Sequence, residues 1–142
     1  MATKSSTGEP TIFPGLFCDD APAALEWLAR AFGFVQRMAV PGPDGTIMHS
    51  ELTLGSGVIM LGSARRDRGW VSPRSLPAVN QVISVYVDDP DAHHARAKAA
   101  GAEILQDPKD EDYGARGYMA RDLEGHYWYF GNYCPGAYWS TT

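Results

Sequence analysis

At 142 residues, 44% hydrophobic and 20% charged, the chain has the make-up of one globular domain, or of two half-domains sharing a core. Its formal charge of −5 argues against a nucleic-acid partner, which would need clustered Lys and Arg for the phosphates. No apolar run approaches the roughly 18 residues of a membrane-spanning helix, so no membrane role is expected.

The first segment, residues 1–10, is polar, lacks the apolar stretch of a signal peptide and reads as a loose tail. Cys18 and Cys134 make no metal or redox motif, and two thiols without an export signal suit a reducing cytoplasm. Residues 11–62 read as a first module. Ile12 to Cys18 is a strand with Pro14, Leu16 and Cys18 on one face and Phe13, Gly15 and Phe17 on the other. Asp20 then caps a helix that carries Ala24, Leu25, Leu28 and Phe32 at helical spacing and stops at Gly33. Val35 to Val40 is a second strand, and Pro41 to Gly45 is a hairpin turn. Ile47 to Leu54 and Val58 to Leu61 follow, joined at Gly55-Ser56-Gly57.

Residues 63–79 break the pattern with Arg65, Arg66, Arg68, Trp70, Arg74 and three turn formers, and read as a linker able to fold over a pocket mouth. The Arg run suits a solvated surface, whereas a Trp on a loop tends to find a groove or a partner. Residues 80–134 repeat the first module. Val82 to Val87 alternates as a strand, and Asp88 or Asp89 caps a helix entered through Pro90 and ended at Gly101. The same spacing separates Asp20 from Gly33 and Asp88 from Gly101, which marks an internal duplication. Ala92, Ala95 and Ala99 are the expected buried face of this helix, with His93 and His94 outside. Then come Glu103 to Leu105, a polar loop through Asp107 to Asp112, Arg116 to Arg121, a turn at Asp122 to Gly125, and His126 to Tyr133. Residues 135–142 form a tail whose Tyr138 and Trp139 are expected to dock.

The doubled strand-helix-strand-strand-strand unit, with Asp opening each helix, resembles the vicinal-oxygen-chelate superfamily of glyoxalases, bleomycin-resistance proteins and extradiol dioxygenases. Phe32-Gly33-Phe34, Asp44 to Leu52, Tyr113 to Arg116 and Asp122 to Trp128 are similar to the motifs of its PhnB-like branch. The resemblance implies an α+β fold of the glyoxalase/bleomycin-resistance type: two βαβββ modules form a curled mixed sheet around a cavity, with helices outside. It also implies a homodimer. In metal-dependent members four ligands line that cavity. Counting from the Asp and Gly landmarks, those positions fall on Phe13, Met60, Val82 and Tyr129, none of them an ordinary ligand for a divalent ion. The expectation is therefore no cofactor and no metal site of the family's kind.

Strand alternation separately places His49 and Glu51 on the concave face. They read as a ligand-recognising pair, as a general acid/base, or as a structural polar pair; a displaced metal site would need a further ligand. His126 alternates with Trp128 and Phe130 and so reads as facing the helices. Phe13, Phe17, Val82, Tyr86, Tyr127 and Tyr129 face inward, as suits a flat or partly apolar ligand, although they could equally fill the space themselves. Tyr113 and Arg116 sit near the rim, where Arg116 could grip an anion or pair with Asp110, Glu111 or Asp112. The candidate ligand-binding set is Phe13, Phe17, His49, Glu51, Met60, Tyr86, Tyr113, Arg116 and Tyr129. Two functions are compatible with it. One is a metal-free protein that binds an aromatic or cationic small molecule. The other is an isomerase, lyase or dioxygenase using His49 and Glu51.

Overall fold

A computed structural model of the chain describes residues 9–137. Tyr138 and Trp139 lie outside the described residues. Strand β1 (Gly15–Cys18) leads into α1 (Ala21–Phe32), then β2 (Val35–Pro41), β3 (Ile47–Leu54) and β4 (Gly57–Ser63). After two 3₁₀ turns, β5 (Val82–Tyr86), α2 (Pro90–Ala99), β6 (Glu103–Asp110), β7 (Arg116–Arg121) and β8 (Tyr127–Gly131) repeat the order. Each module forms its own four-stranded mixed sheet, in the order β1-β4-β3-β2 and β5-β8-β7-β6. In both, the first strand runs parallel to the last and the remaining pairs are antiparallel. The duplication in the sequence is thus a duplication of topology.

The local chemistry of the two helix starts matches. The carboxylate of Asp20 accepts from Ala23 N at 3.2 Å, and that of Asp89 accepts from Ala92 N at 3.1 Å. Proline occupies the first turn in each helix, where no N–H is needed. Gly33 ends α1 in the left-handed conformation at φ 86°, a geometry that a Cβ would strain.

One core serves both modules. Leu16, Cys18, the inner face of α1, Leu52, Ile59 and Leu61 meet Tyr118, Ala120, Trp128 and Phe130. Phe32 is the pivot: its ring lies 4.6 Å from Phe130 and 5.6 Å from Trp128, centroid to centroid. Polar bonds join the helices as well. Trp27 donates through Nε1 to the Ala100 carbonyl at 3.0 Å, and Arg96 donates to the Ala29 and Arg30 carbonyls, both at 3.0 Å. The second helix thereby supplies partners to the last turn of the first.

Three expectations are corrected here. Ala92, Ala95 and Ala99 are exposed; Pro90 and Ala97 are the buried residues of α2. Neither His93 nor His94 stands outside: the His94 side chain is 17% exposed and lies edge-on to Tyr118 at 5.1 Å, and His93 is part-buried against the core. Its ring packs against Phe32 and Phe130, it meets the Phe32 carbonyl through Nε2 at 2.8 Å, and Nδ1 meets the Tyr118 hydroxyl. Finally, residues expected in the polar loop from Asp107 belong to β6 as far as Asp110. That strand sits at the sheet edge and carries register shifts, which is where charge and proline are tolerated.

Candidate functional site

The face of the second sheet turned away from the helices is rich in tyrosine. Along β5 the exposed residues are Val82, Ser84 and Tyr86, while Ile83 and Val85 pack on the core. Register puts Tyr129 of β8 between Ser84 of β5 and Met119 of β7. The Tyr129 ring lies across Gly117 and Gly131, which are themselves paired. A Cβ on Gly131 would come within 2.7 Å of the ring, and one on Gly117 would collide with it. These two glycines therefore make the recess in which Tyr129 lies.

Beyond the strand ends, Tyr113 and Tyr133 meet edge to face with centroids 5.0 Å apart. With Val82, Tyr86, Met119 and Tyr129 they line a hollow of about 340 Å³. Burial is the main cause that pushes the Tyr129 phenol well above its ordinary pKa; Tyr113 and the Glu111 carboxylate add to it. The Tyr129 hydroxyl is buried, and its contact with the Tyr113 phenol falls short of a well-formed hydrogen bond. The expected residues Tyr86, Tyr113 and Tyr129 thus come together in one place. Met119 and Tyr133 were missed. Alternation along β7 would have placed Met119, but Tyr133 lies past the end of β8 and carries no such signal.

The other candidates lie elsewhere. His49 Nε2 and Glu51 Oε2 are 2.7 Å apart on the face of β3 opposite the buried Ser50 and Leu52, as strand alternation implied, with both side chains about two-fifths exposed. Neither lines the tyrosine hollow. Met60 is paired with Glu51 by register, and Phe13 is exposed. Phe17 stacks on Trp70 of the linker at 4.9 Å and 10°. Tyr127 accepts at its hydroxyl from Arg121 at 2.6 Å. Arg116 is fully engaged: Asp91 holds it through two bonds of 2.8 and 2.9 Å, and Asp110 through one of 3.2 Å. These partners raise its pKa further, so it holds the loop end to α2 instead of standing ready for an anion.

A second polar centre escaped the sequence reading altogether. Glu124 is 1% exposed and accepts from Asp19 N at 2.7 Å, Asp20 N at 3.0 Å and the Ser72 hydroxyl at 2.6 Å. Arg74 approaches it at 3.4 Å. Asp122 beside it accepts from the backbone of Glu124, Gly125 and His126, each at 2.9 Å, and from Trp128 Nε1 at 2.9 Å. His126, half-buried, also turns Nδ1 to Asp122 at 3.0 Å. The sequence signal was the Asp122-Leu123-Glu124-Gly125-His126 turn itself, whose acids are spent on folding.

The family model of the Glyoxalase/Bleomycin resistance protein/Dioxygenase superfamily matches residues 11–130. The chain belongs to this superfamily. A protein of Mycobacterium tuberculosis strain H37Rv, itself uncharacterised, is 33% identical over 132 residues, covering 91% of this chain and 78% of its own. The crystal structure of TioX from Micromonospora sp. ML1 is similar with a TM-score of 0.69 at 34% identity, over 86% of this chain and 94% of that one. A lactoylglutathione lyase from Agrobacterium tumefaciens shares the fold at a TM-score of 0.63 and 20% identity, over 88% and 95% of the two chains.

The superfamily's divalent ion can be tested against the residues in place. Phe13, Met60, Val82 and Tyr129, the residues on which the resemblance lets the four ligand positions fall, offer no imidazole or carboxylate. Among the described residues no group of three or more His, Cys, Asp and Glu is arranged to hold a metal. The residues present do not fit the ion. No helix among the described residues is long and apolar enough to cross a membrane.

Proposed function

We propose that this superfamily member is a small-molecule binding protein of the bleomycin-resistance or PhnB-like kind, which holds an aromatic or cationic compound without a metal. The observation that carries the reading is the hollow formed by Tyr86, Tyr113, Tyr129 and Tyr133 with Val82 and Met119. Its volume of about 340 Å³ falls in the range of small-molecule pockets. Four tyrosines offer stacking faces and negative ring quadrupoles, and Glu111 lies close enough to act electrostatically on Tyr129. A planar cation satisfies both features.

Calorimetric titration with N-methylquinolinium, a flat aromatic cation, tests the proposal. Wild type is expected to bind below millimolar, and Tyr113→Ala about fivefold more weakly, since each aromatic contact contributes on the order of 1 kcal/mol. Absence of binding at millimolar concentration across a panel of aromatic and cationic compounds would refute it.

A second reading rests on the His49–Glu51 contact of 2.7 Å. A carboxylate that orients an imidazole can support proton transfer next to a carbonyl. Turnover of a glyoxalase, lyase or catechol substrate that vanishes in His49→Ala would favour this enzyme. In either case a homodimer suits the exposed Val35, Met38 and Val40 of edge strand β2, and light scattering of the purified protein checks it.

A further inference from the structure

The linker between the modules builds a second hollow whose chemistry is opposite to that of the tyrosine hollow. It measures about 540 Å³. Ile47 and Met48 of β3 and Pro43 of the turn before it supply apolar surface, Phe17 and Trp70 form an aromatic wall, and Arg65 and Arg68 bring positive charge. Met48 is 69% exposed and Trp70 38%, so two large apolar side chains stand in water at one mouth.

This wall is not a loose loop. Arg65 and Trp70 face each other as an antiparallel bridge, with Arg65 N donating to Trp70 O at 2.7 Å and Trp70 N to Arg65 O at 2.9 Å. Between them a 3₁₀ turn over Arg66–Arg68 closes through Gly69 at φ 75°. Trp70 then stacks on Phe17 at 4.9 Å, which ties the small hairpin to β1. The indole is thereby presented in a fixed place, and a ligand need not order it.

The charges are unequal in availability. Arg65 is occupied by Asp67 through bonds of 3.0 and 2.8 Å. Arg68 lies with its guanidinium carbon 5.0 Å from the Trp70 ring centre, and no carboxylate among the described residues is within 4.0 Å of it. It is a planar cation on an aromatic wall, with its hydrogen-bond donors unclaimed by any acid. One acid, Asp44, also lines the hollow and opposes an anion there. Arg68, which makes no direct carboxylate contact among the described residues, is the cation available at this apolar recess, although Asp67 next to it in the chain also acts on it through space.

We infer that this hollow binds a small aromatic carboxylate, with Arg68 meeting the carboxylate and Met48, Ile47 and Trp70 receiving the ring. A bidentate guanidinium–carboxylate pair beside apolar surface matches both ends of such a molecule. The site is separate from the tyrosine hollow and shares no lining residue with it.

The test uses the full chain and two probes, 1-naphthoate and its neutral isostere 1-naphthamide, titrated by calorimetry and by tryptophan fluorescence. Naphthoate is expected to bind wild type below millimolar, and naphthamide at least tenfold more weakly. Arg68→Gln, an exposed change that leaves the melting temperature in place, is expected to cost at least tenfold for naphthoate and little for naphthamide. Asp44→Asn is expected to tighten naphthoate two- to threefold, and Tyr113→Ala to leave it unchanged. Equal naphthoate affinity in wild type and Arg68→Gln would overturn the inference, as would no binding at millimolar concentration. Loss of naphthoate binding in Tyr113→Ala would place the carboxylate in the tyrosine hollow and overturn it too, whereas loss of N-methylquinolinium binding alone would not.

Discussion

Glu124 accepts the backbone N–H of Asp19 across 105 positions of sequence, at 2.7 Å and out of contact with water. The bond joins the β7–β8 turn of one module to the β1–α1 turn of the other, with Ser72 of the linker donating to the same carboxylate. Glu124→Ala leaves two amides and a hydroxyl without this acceptor. A loss of about 3 kcal/mol in unfolding free energy is expected by urea denaturation. Glu124→Gln, which keeps one acceptor oxygen, is expected to lose less.

His93 predicts how stability depends on pH. Its Nε2–H donates to the Phe32 carbonyl, so Nδ1 must be the unprotonated acceptor of the Tyr118 hydroxyl. Burial lowers its pKa, partly offset by the bond to Phe32. The unfolded chain therefore binds the proton first as pH falls. The contribution is complete above the unfolded histidine value of about 6.5 and is lost as pH drops from there toward the depressed folded value. Denaturation midpoints measured between pH 8 and pH 5 should fall on the acid side. In His93→Phe that part of the slope should disappear, even if the protein is less stable throughout.

Tyr129 predicts a substitution with an unusual sign. Its hydroxyl is buried and is met only by a contact with the Tyr113 phenol that falls short of a well-formed hydrogen bond. Removing such a group removes a desolvation cost, so Tyr129→Phe should be neutral or stabilising by up to about 1 kcal/mol. Thermal melts check this. Gly117→Ala should do the reverse, because the added Cβ strikes the ring and lies 2.8 Å from the Phe130 carbonyl. It should both destabilise the protein and abolish binding in the tyrosine hollow.

The order of elements was legible because both modules carry the same local instructions. Alternating strands, Asp20 as one cap and Asp88 or Asp89 as the other, proline in the first turn and Gly33 at the stop are all short-range signals, and the structure chooses Asp89. What was not legible depends on partners remote in sequence. His93 looks like a surface residue until Phe32 and Tyr118 arrive to satisfy it. The alanines of α2 offer little apolar area, so their spacing did not decide which face is buried; the contacts of Pro90, His93 and Ala97 did. In the site, alternation placed Tyr86 and Tyr129 on one face, but Arg116 was settled only by the positions of Asp91 and Asp110.

The most direct test of the account is an amide NMR titration of the isotope-labelled protein with N-methylquinolinium, in buffer containing a chelator. The account predicts saturable shifts at residues 82–86, 113, 117–119 and 129–133, unchanged when the chelator is left out. Shifts confined to residues 47–53 around His49 and Glu51, or binding that appears only when a divalent metal is added, would contradict it.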